Sequence, residues 1–286
     1  EQAAVKGLIL PLDGVSDLAG DHDWYEYARQ VGRVQNSTFG LPFAGDALVL
    51  VHRPAESGQG SLASWDDIFN RNLLVVAPID DGQAMFTLAQ YHSAGGETQD
   101  PEGRPFLDKE ILTQVLANYG QGIGRGSFPT WLTQIQTNGQ AWQSFLEGQG
   151  SMVIAYSSNF LADLPPDAAV ASLPGLDGQP STLATGWSWA LADTNPLTRE
   201  TSVKLMEYLS DSAFLAEWTA GAGYLPTRPS VLTGWSNQTL TPILNQVILS
   251  AEVKPANEVL TGLGPVLREA VLSIFNGLAT PEQAAE

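Results

Sequence analysis

The chain has 286 residues, no cysteine, and 13 Lys+Arg against 31 Asp+Glu, a formal charge of −18. That balance argues against nucleic acid, because neutralising phosphates takes clustered Lys and Arg, and the missing cysteines exclude disulfides, thiolate metal sites and a cysteine nucleophile. The length suits one large or about two ordinary domains of roughly 150 residues each, and 43% apolar with 9% aromatic residues is enough to bury a core.

Taken in chain order, Gly7-Leu-Ile-Leu-Pro-Leu-Asp13 is a short apolar run ended by proline. Tyr27, Val31 and Val34 are spaced for a short helix over 25–34. Asn36 to Gly40 reads as a turn, and Ala47 to His52 as a strand. Residues 56–61 form a Gly/Ser/Gln loop. Ser64 with Asp66 and Asp67 behind it marks a helix N-terminus, so a helix is expected over 65–70. Leu73 to Pro78 is a buried-type strand. A helix over 81–93 carries Met85, Leu88, Ala89 and His92 on one face. Residues 100–105 read as a turn or hairpin tip. Asp108 caps a helix ending near Gly120, and Gly120-Gln-Gly-Ile-Gly-Arg-Gly126 reads as a flexible loop. Its glycines fall at every second position and it follows a helix, so it is a poor dinucleotide fingerprint.

Further on, short helices are expected over 129–135 and 140–147. A strand over 151–156 runs straight into a helix start at Ser157. Strands follow over 168–173 and 185–191. Helices are then expected from Thr198 to Leu209 and from Asp211 to Gly221 or Gly223. Two prolines keep 224–230 from being helical. Thr241-Pro242 and Thr280-Pro281 place an N-cap before proline at the first helical position, and Thr280 to Gln283 is also a capping box. The last two longer helices are expected over 242–250 and 264–278. Strands alternating with helices give an α/β class with a largely parallel sheet. The longest apolar runs are far short of the roughly 20 residues that cross a bilayer.

His22, His52 and His92 fall in no metal-binding spacing, and no serine stands in a nucleophile elbow. The adjacent pairs Asp66-Asp67 and Asp80-Asp81 read as caps and solvated turns. The sequons at Asn36 and Asn237 carry no weight. More informative are 8 Trp and 7 Tyr, several beside Gly, Ser, Asn or Gln. A sugar has apolar C–H faces and polar edges, so stacking on Trp or Tyr with hydrogen bonds from Asp, Asn, Gln and Ser suits it. Trp131, Tyr156, Trp187 and Trp189 read either as core or as such contacts. Period-2 alternation puts Trp187 and Trp189 on one sheet face.

Several stretches, in order, resemble the sugar-binding, maltose-binding-like group of extracellular solute-binding proteins of ABC importers. They are Gly7 to Asp13, Phe39-Gly-Leu-Pro-Phe-Ala-Gly-Asp46, Ser64-Trp-Asp-Asp-Ile68, Phe145 to Ile154, Leu173 to Gly178 with Gly186-Trp187, Gly223-Tyr-Leu-Pro-Thr-Arg228, and Thr280 to Ala285. The match departs from the family in two places. The family carries further βα units before the stretch matched at Gly7, and Leu50-Val-His52 stands where it commonly has Tyr-Asn.

The resemblance implies an α/β, periplasmic-binding-protein-like two-lobed (type II) fold with lobe 1 incomplete. Residues 1–48 would be part of lobe 1, 49–170 lobe 2, and 171–286 the return to lobe 1 with the C-terminal helices. It implies a non-enzymatic protein without cofactor or metal. Such a protein binds a neutral mono- or oligosaccharide between lobes, closes on it, and delivers it to the membrane permease of an ABC importer. Matching positions nominate Asp46, Gln83, Tyr156, Ser157, Asn159, Trp187 and Trp189 as ligand contacts. The expected form is an extracellular or periplasmic monomer, with a lipid anchor conceivable on a segment outside this sequence. A carbohydrate-active hydrolase and a ligand-sensing domain without a transport role remain the alternatives.

Overall fold

A computed structural model describes residues 2–58, 62–192 and 195–286. Contacts divide the chain into two compact units, Glu1–Ala47 with Ala184–Val253, and Leu48–Leu183 with Lys254–Glu286. The strands are β1 (Arg33–Val34), β2 (Ser37–Thr38), β3 (Gly40–His52), β4 (Val75–Val76), β5 (Met152–Tyr156), β6 (Ala169–Ala171), β7 (Thr182–Ala190) and β8 (Ala251–Val253). β3 pairs antiparallel with β5, β6 and β7, whereas β4–β5 is parallel. The class is mixed α/β, but antiparallel pairs dominate where a largely parallel sheet was expected. Strand–helix alternation in sequence does not fix direction, because each partner returns beside one long strand, β3.

In the first unit, β1 and β2 form a hairpin over 33–38, with Gln35 at positive φ, where a helix was expected to run to Val34 and a turn to span 36–40. The first half of β3 pairs with β7, with Gly45 opposite Gly186 and an irregularity between Pro42 and Ala44. A Cβ on Gly45 would lie 2.0 Å from the Tyr27 hydroxyl, and one on Gly186 would meet Val31 at 3.4 Å. These two glycines let helix Glu26–Gly32 lie directly on that sheet face. The Tyr27 hydroxyl donates to the Pro226 carbonyl at 2.9 Å. Burial, reinforced by Tyr25 and Asp46, pushes its pKa far up, so it stays a donor. A small core of Leu12, Trp24, Leu41, Leu191, Val203 and Met206 ties in helix Pro196–Leu209. Residues 59–61, part of the loop expected over 56–61, lie outside the described residues, as do 193–194. The helix expected over 242–250 is Thr241–Leu249, with Leu240 rather than Thr241 at its N-cap.

In the second unit, the buried end of β3 pairs Leu48 with Tyr156 and His52 with Met152. Helix Trp65–Asn70 has the expected bounds, and Ser64 accepts from the Asp67 amide at 3.2 Å. The helix expected over 81–93 is Met85–Ser93, with the preceding turn held by Asp81, which accepts from the Gln83 and Met85 amides. The segment 120–124, expected as a loop, is the last part of helix Lys109–Gly124. Its Gly122 is required by packing, since a Cβ there would meet the Phe128 ring at 2.3 Å. The helix expected from Gly264 starts earlier, at Asn257, and runs through Pro265 to Phe275. An interior proline usually costs about 3 kcal/mol, so the turns before Pro265 rest on tertiary packing that local pattern does not show.

The units differ from the expected lobe boundaries at two stretches. Residues 171–183 and 254–286 join the second unit. Gln90 donates to the Pro174 carbonyl at 3.1 Å, and Ser93 Oγ accepts from the Leu176 amide at 2.9 Å. Gly264 approaches the Gly82 carbonyl so closely that a Cβ would sit 2.4 Å from it. Asp80 is no solvated turn residue. It is buried, pairs with Arg268, and accepts from Gln136 Nε2 at 2.9 Å.

His52, half-buried at the end of β3, makes a 2.7 Å hydrogen bond to Ser57 Oγ through Nδ1. Burial first, and then the charge of Arg71, lowers its pKa below 6.5. Below pH 6.5 the unfolded chain therefore takes up a proton that the folded chain resists. Stability from this group is complete above that pH and is lost as pH falls. A His52→Gln variant should show a shallower decline in melting temperature on acidification than the parent; an unchanged pH slope would remove His52 as the cause.

Candidate functional site

The nominated residues fall into groups. On the first unit, antiparallel register puts Asp46 opposite Thr185 and Trp187 opposite Ala44. Directly opposed residues share a face, so Asp46, Thr185, Trp187 and Trp189 belong to one side of the sheet. Helix Glu26–Gly32 covers the other side. Asp46 is buried, and its Oδ1 accepts from the Ala47 amide at 3.0 Å.

Trp187 and Trp189 stand at the two ends of an aromatic row. Trp189 stacks on Phe43 at 4.3 Å, and Phe43 meets Trp218 edge-on at 5.4 Å. Trp218 lies parallel to Tyr224 at 6.0 Å, and Tyr224 meets Trp187 edge-on at 5.1 Å. Trp187 remains 43% exposed while Trp189 is half-buried. The row combines the two readings open for these tryptophans: Trp189 packs, and Trp187 offers a ring to solvent. Of its inner members, Phe43 comes from β3, Trp218 from helix Ser212–Ala222 and Tyr224 from the turn after it. Gly223 closes that helix in the left-handed conformation, at φ 74°. The next residues are then pinned to β3. Gly45 and Leu225 exchange amide hydrogen bonds of 2.9 and 2.8 Å, and Thr227 Oγ1 donates to the Pro42 carbonyl at 3.2 Å. Tyr224 is thereby fixed beside Trp187. Sequence reasoning missed Phe43, Trp218 and Tyr224 as partners; the Gly-Tyr at 223–224, at a helix end, was the available signal for the last.

On the second unit, Tyr156, Ser157 and Asn159 lie at the end of β5 and the start of helix Ser157–Asp163. Tyr156 and Asn159 are half-buried, while Ser157 is buried. Gln83 is exposed on a separate turn before helix Met85–Ser93. Among the described residues, no grouping of three or more His, Asp or Glu side chains is placed to hold a metal ion, and no helix is long and apolar enough to cross a membrane.

Among solved structures the chain is similar to a maltose-bound MalE3 of T. maritima, at TM-score 0.78 and 18% identity, covering 99% of this chain and 79% of that one. It is similar to a cyclic alpha-maltosyl-1,6-maltose binding protein of Arthrobacter globiformis, at 0.80 and 18%, covering 99% and 78%. A ribitol-complexed ABC transporter solute binding protein of Agrobacterium radiobacter is also similar, at 0.70 and 20%, covering 99% and 79%. Likeness at such identities speaks for the fold. No curated protein matches the sequence. A family profile described as bacterial extracellular solute-binding protein matches residues 1–242. With that profile spanning most of the chain, and the fold agreeing, the protein belongs to the bacterial extracellular solute-binding protein family.

Proposed function

We propose that the chain binds a neutral sugar on the face of the first unit that carries Trp187, and passes it to the permease of an ABC importer. The observation that carries this reading is the exposed Trp187 ring, braced by Tyr224 and set on the same sheet face as Asp46. An indole held in place loses little entropy on stacking, and a buried carboxylate nearby accepts hydroxyl hydrogen bonds strongly. The net charge of −18 disfavours an anionic ligand. Similar solved proteins are named for maltose, a cyclic maltosyl-maltose and ribitol, and all of these are neutral polyols. Tyr156, Ser157, Asn159 and Gln83 are proposed as further sugar contacts. The protein then acts outside the cytoplasm, as a monomer, and makes or breaks no bond.

Calorimetry against mono- and oligosaccharides tests the proposal. A binding sugar should be found, and Trp187→Ala should weaken it about tenfold or more, the worth of a stacked aromatic face of roughly 1–3 kcal/mol. An unchanged affinity in that variant would remove Trp187 from the site. Turnover of a chromogenic glycoside by the parent would overturn the binding-only reading.

A further inference from the structure

A cavity of about 490 Å³ is lined by residues of the second unit. One wall is helix Lys109–Gly124, which presents Gln114, Asn118 and Gln121 to it. These fall at i, i+4 and i+7, a single helix face. The opposite face carries Leu112, Val115, Leu116 and Tyr119 into the core. The second wall is the start of helix Trp65–Asn70, with Trp65 and Asp66, and the third is the turn bearing Leu176.

The polar groups here have unused capacity. Asn118 Nδ2 is buried and has no hydrogen-bond partner among the described residues. A buried amide donor left unmade costs about 1–3 kcal/mol, and a ligand acceptor recovers that cost when the Asn118 carboxamide rotates toward the cavity it lines. Gln121 Nε2 donates to Asp66 Oδ1 at 3.2 Å. That leaves the Gln121 carbonyl and the second carboxylate oxygen as acceptors on side chains that line the cavity. The walls are also preorganised. Gln90, fully buried, accepts from Trp65 Nε1 at 2.6 Å and donates to the Pro174 carbonyl at 3.1 Å. It therefore ties the Trp65 wall to the turn wall. Gly175 makes that turn possible, since a Cβ there would meet the Gln179 carbonyl at 2.4 Å.

Three carboxamides, one carboxylate and no cation form a lining that both donates and accepts. An anion finds no counter-charge there, while vicinal hydroxyls match carboxamides in both senses. Leu176 and Ala117 supply apolar surface for C–H groups. The volume lies at the lower end for small-molecule pockets, roughly 300–1,000 Å³. We propose that this cavity is a second binding site, for a neutral hexose-sized sugar or polyol, distinct from the Trp187 face and independent of the reading given to it.

Side-chain amide NMR of the full chain, titrated with D-glucose, D-galactose and D-glucuronate, tests the assignment. At least one neutral hexose should shift the Asn118 and Gln121 amide signals saturably, and Trp187→Ala should leave that titration unchanged. Asn118→Asp keeps the side-chain size but replaces the donor by a second carboxylate near Asp66. It should fold as the parent does and weaken the hexose at least tenfold. Three results would overturn the proposal: no saturable shift of these amides at millimolar hexose, D-glucuronate binding as tightly as the hexoses, or an Asn118→Asp protein of native melting temperature with unchanged affinity. Loss of the amide shifts in Trp187→Ala would also overturn it, by assigning them to the first unit's site.

Discussion

Replacing Arg228 by Met is expected to destabilise the first unit by about 3 kcal/mol, at the low end of the roughly 3–5 kcal/mol for stripping one partner from a buried ion pair. The Arg228 side chain is 5% exposed and pairs with both Asp21 and Asp23, at 3.1 Å from Nε to the latter. Nη1 donates to the Ser210 carbonyl at 3.0 Å, and the guanidinium lies 4.4 Å above the Trp24 ring. Methionine would fill much of the volume but leave two neighbouring carboxylates without a counter-charge. Those carboxylates are about 30% exposed, so water relieves part of the loss. Lysine should recover less than half of it, because a point charge cannot reproduce three directed donors and a stacked plane. Urea unfolding followed by tryptophan fluorescence reads both numbers. Equal stability of Arg228→Lys and the parent would mean that charge alone matters here. The effect should also reach the site. Arg228 follows the stretch 224–227 that β3 pins in place, so Arg228→Met should loosen Tyr224 and raise the solvent exposure of Trp187.

Much of this was legible in the residues, and the misses share a cause. Helix Trp65–Asn70 and the capping box at Thr280 are local devices, fixed by hydrogen bonds within one turn, and local pattern finds them; the capping box at Thr137 is equally local but was passed over, the helix after it being expected from Gln140. Gly120 to Gly124 was misread because glycine frequency suggests a loop. Whether Gly122 is a flexible residue or a packing requirement depends on Phe128. The start of helix Asn257–Phe275 was missed because its first two turns precede a costly interior proline and are held by packing on the second unit, which is not local. Strand direction and the placement of 254–286 are likewise long-range outcomes, set by pairs such as Asp80 with Arg268. For the site, alternation placed Trp187 and Trp189 on one face correctly. It did not reveal that Trp189 is covered by Phe43 while Trp187 is open, because Phe43 sits at the irregularity in β3.

Phe128→Ala should cost the second unit about 3–5 kcal/mol, the usual range for removing a fully buried aromatic ring. Phe128 is completely buried and lies 5.6 Å from Trp65 and Phe69, 5.8 Å from Tyr119, and 6.3 Å from Phe86 and Phe275. Its loss opens a cavity where five rings met, and rings collapse poorly because each has few rotamers. One of those rings, Phe275, belongs to the C-terminal helix, so the same change should weaken the hold of 254–286 on this unit. Limited proteolysis should then cut first within that segment. A second substitution separates packing from general fragility. In the parent, Gly122→Ala drives its Cβ to 2.3 Å from the Phe128 ring and 3.0 Å from Phe69, so it should destabilise by about 1–3 kcal/mol. In the Phe128→Ala background the first obstacle is gone. The added methyl then occupies the vacated space and raises helix propensity by about 1 kcal/mol. The double variant should therefore be more stable than Phe128→Ala alone, a coupling opposite in sign to simple addition. Additive losses would show that Gly122 is held by something other than the ring it faces, and would return 120–124 to the unexplained part of the fold.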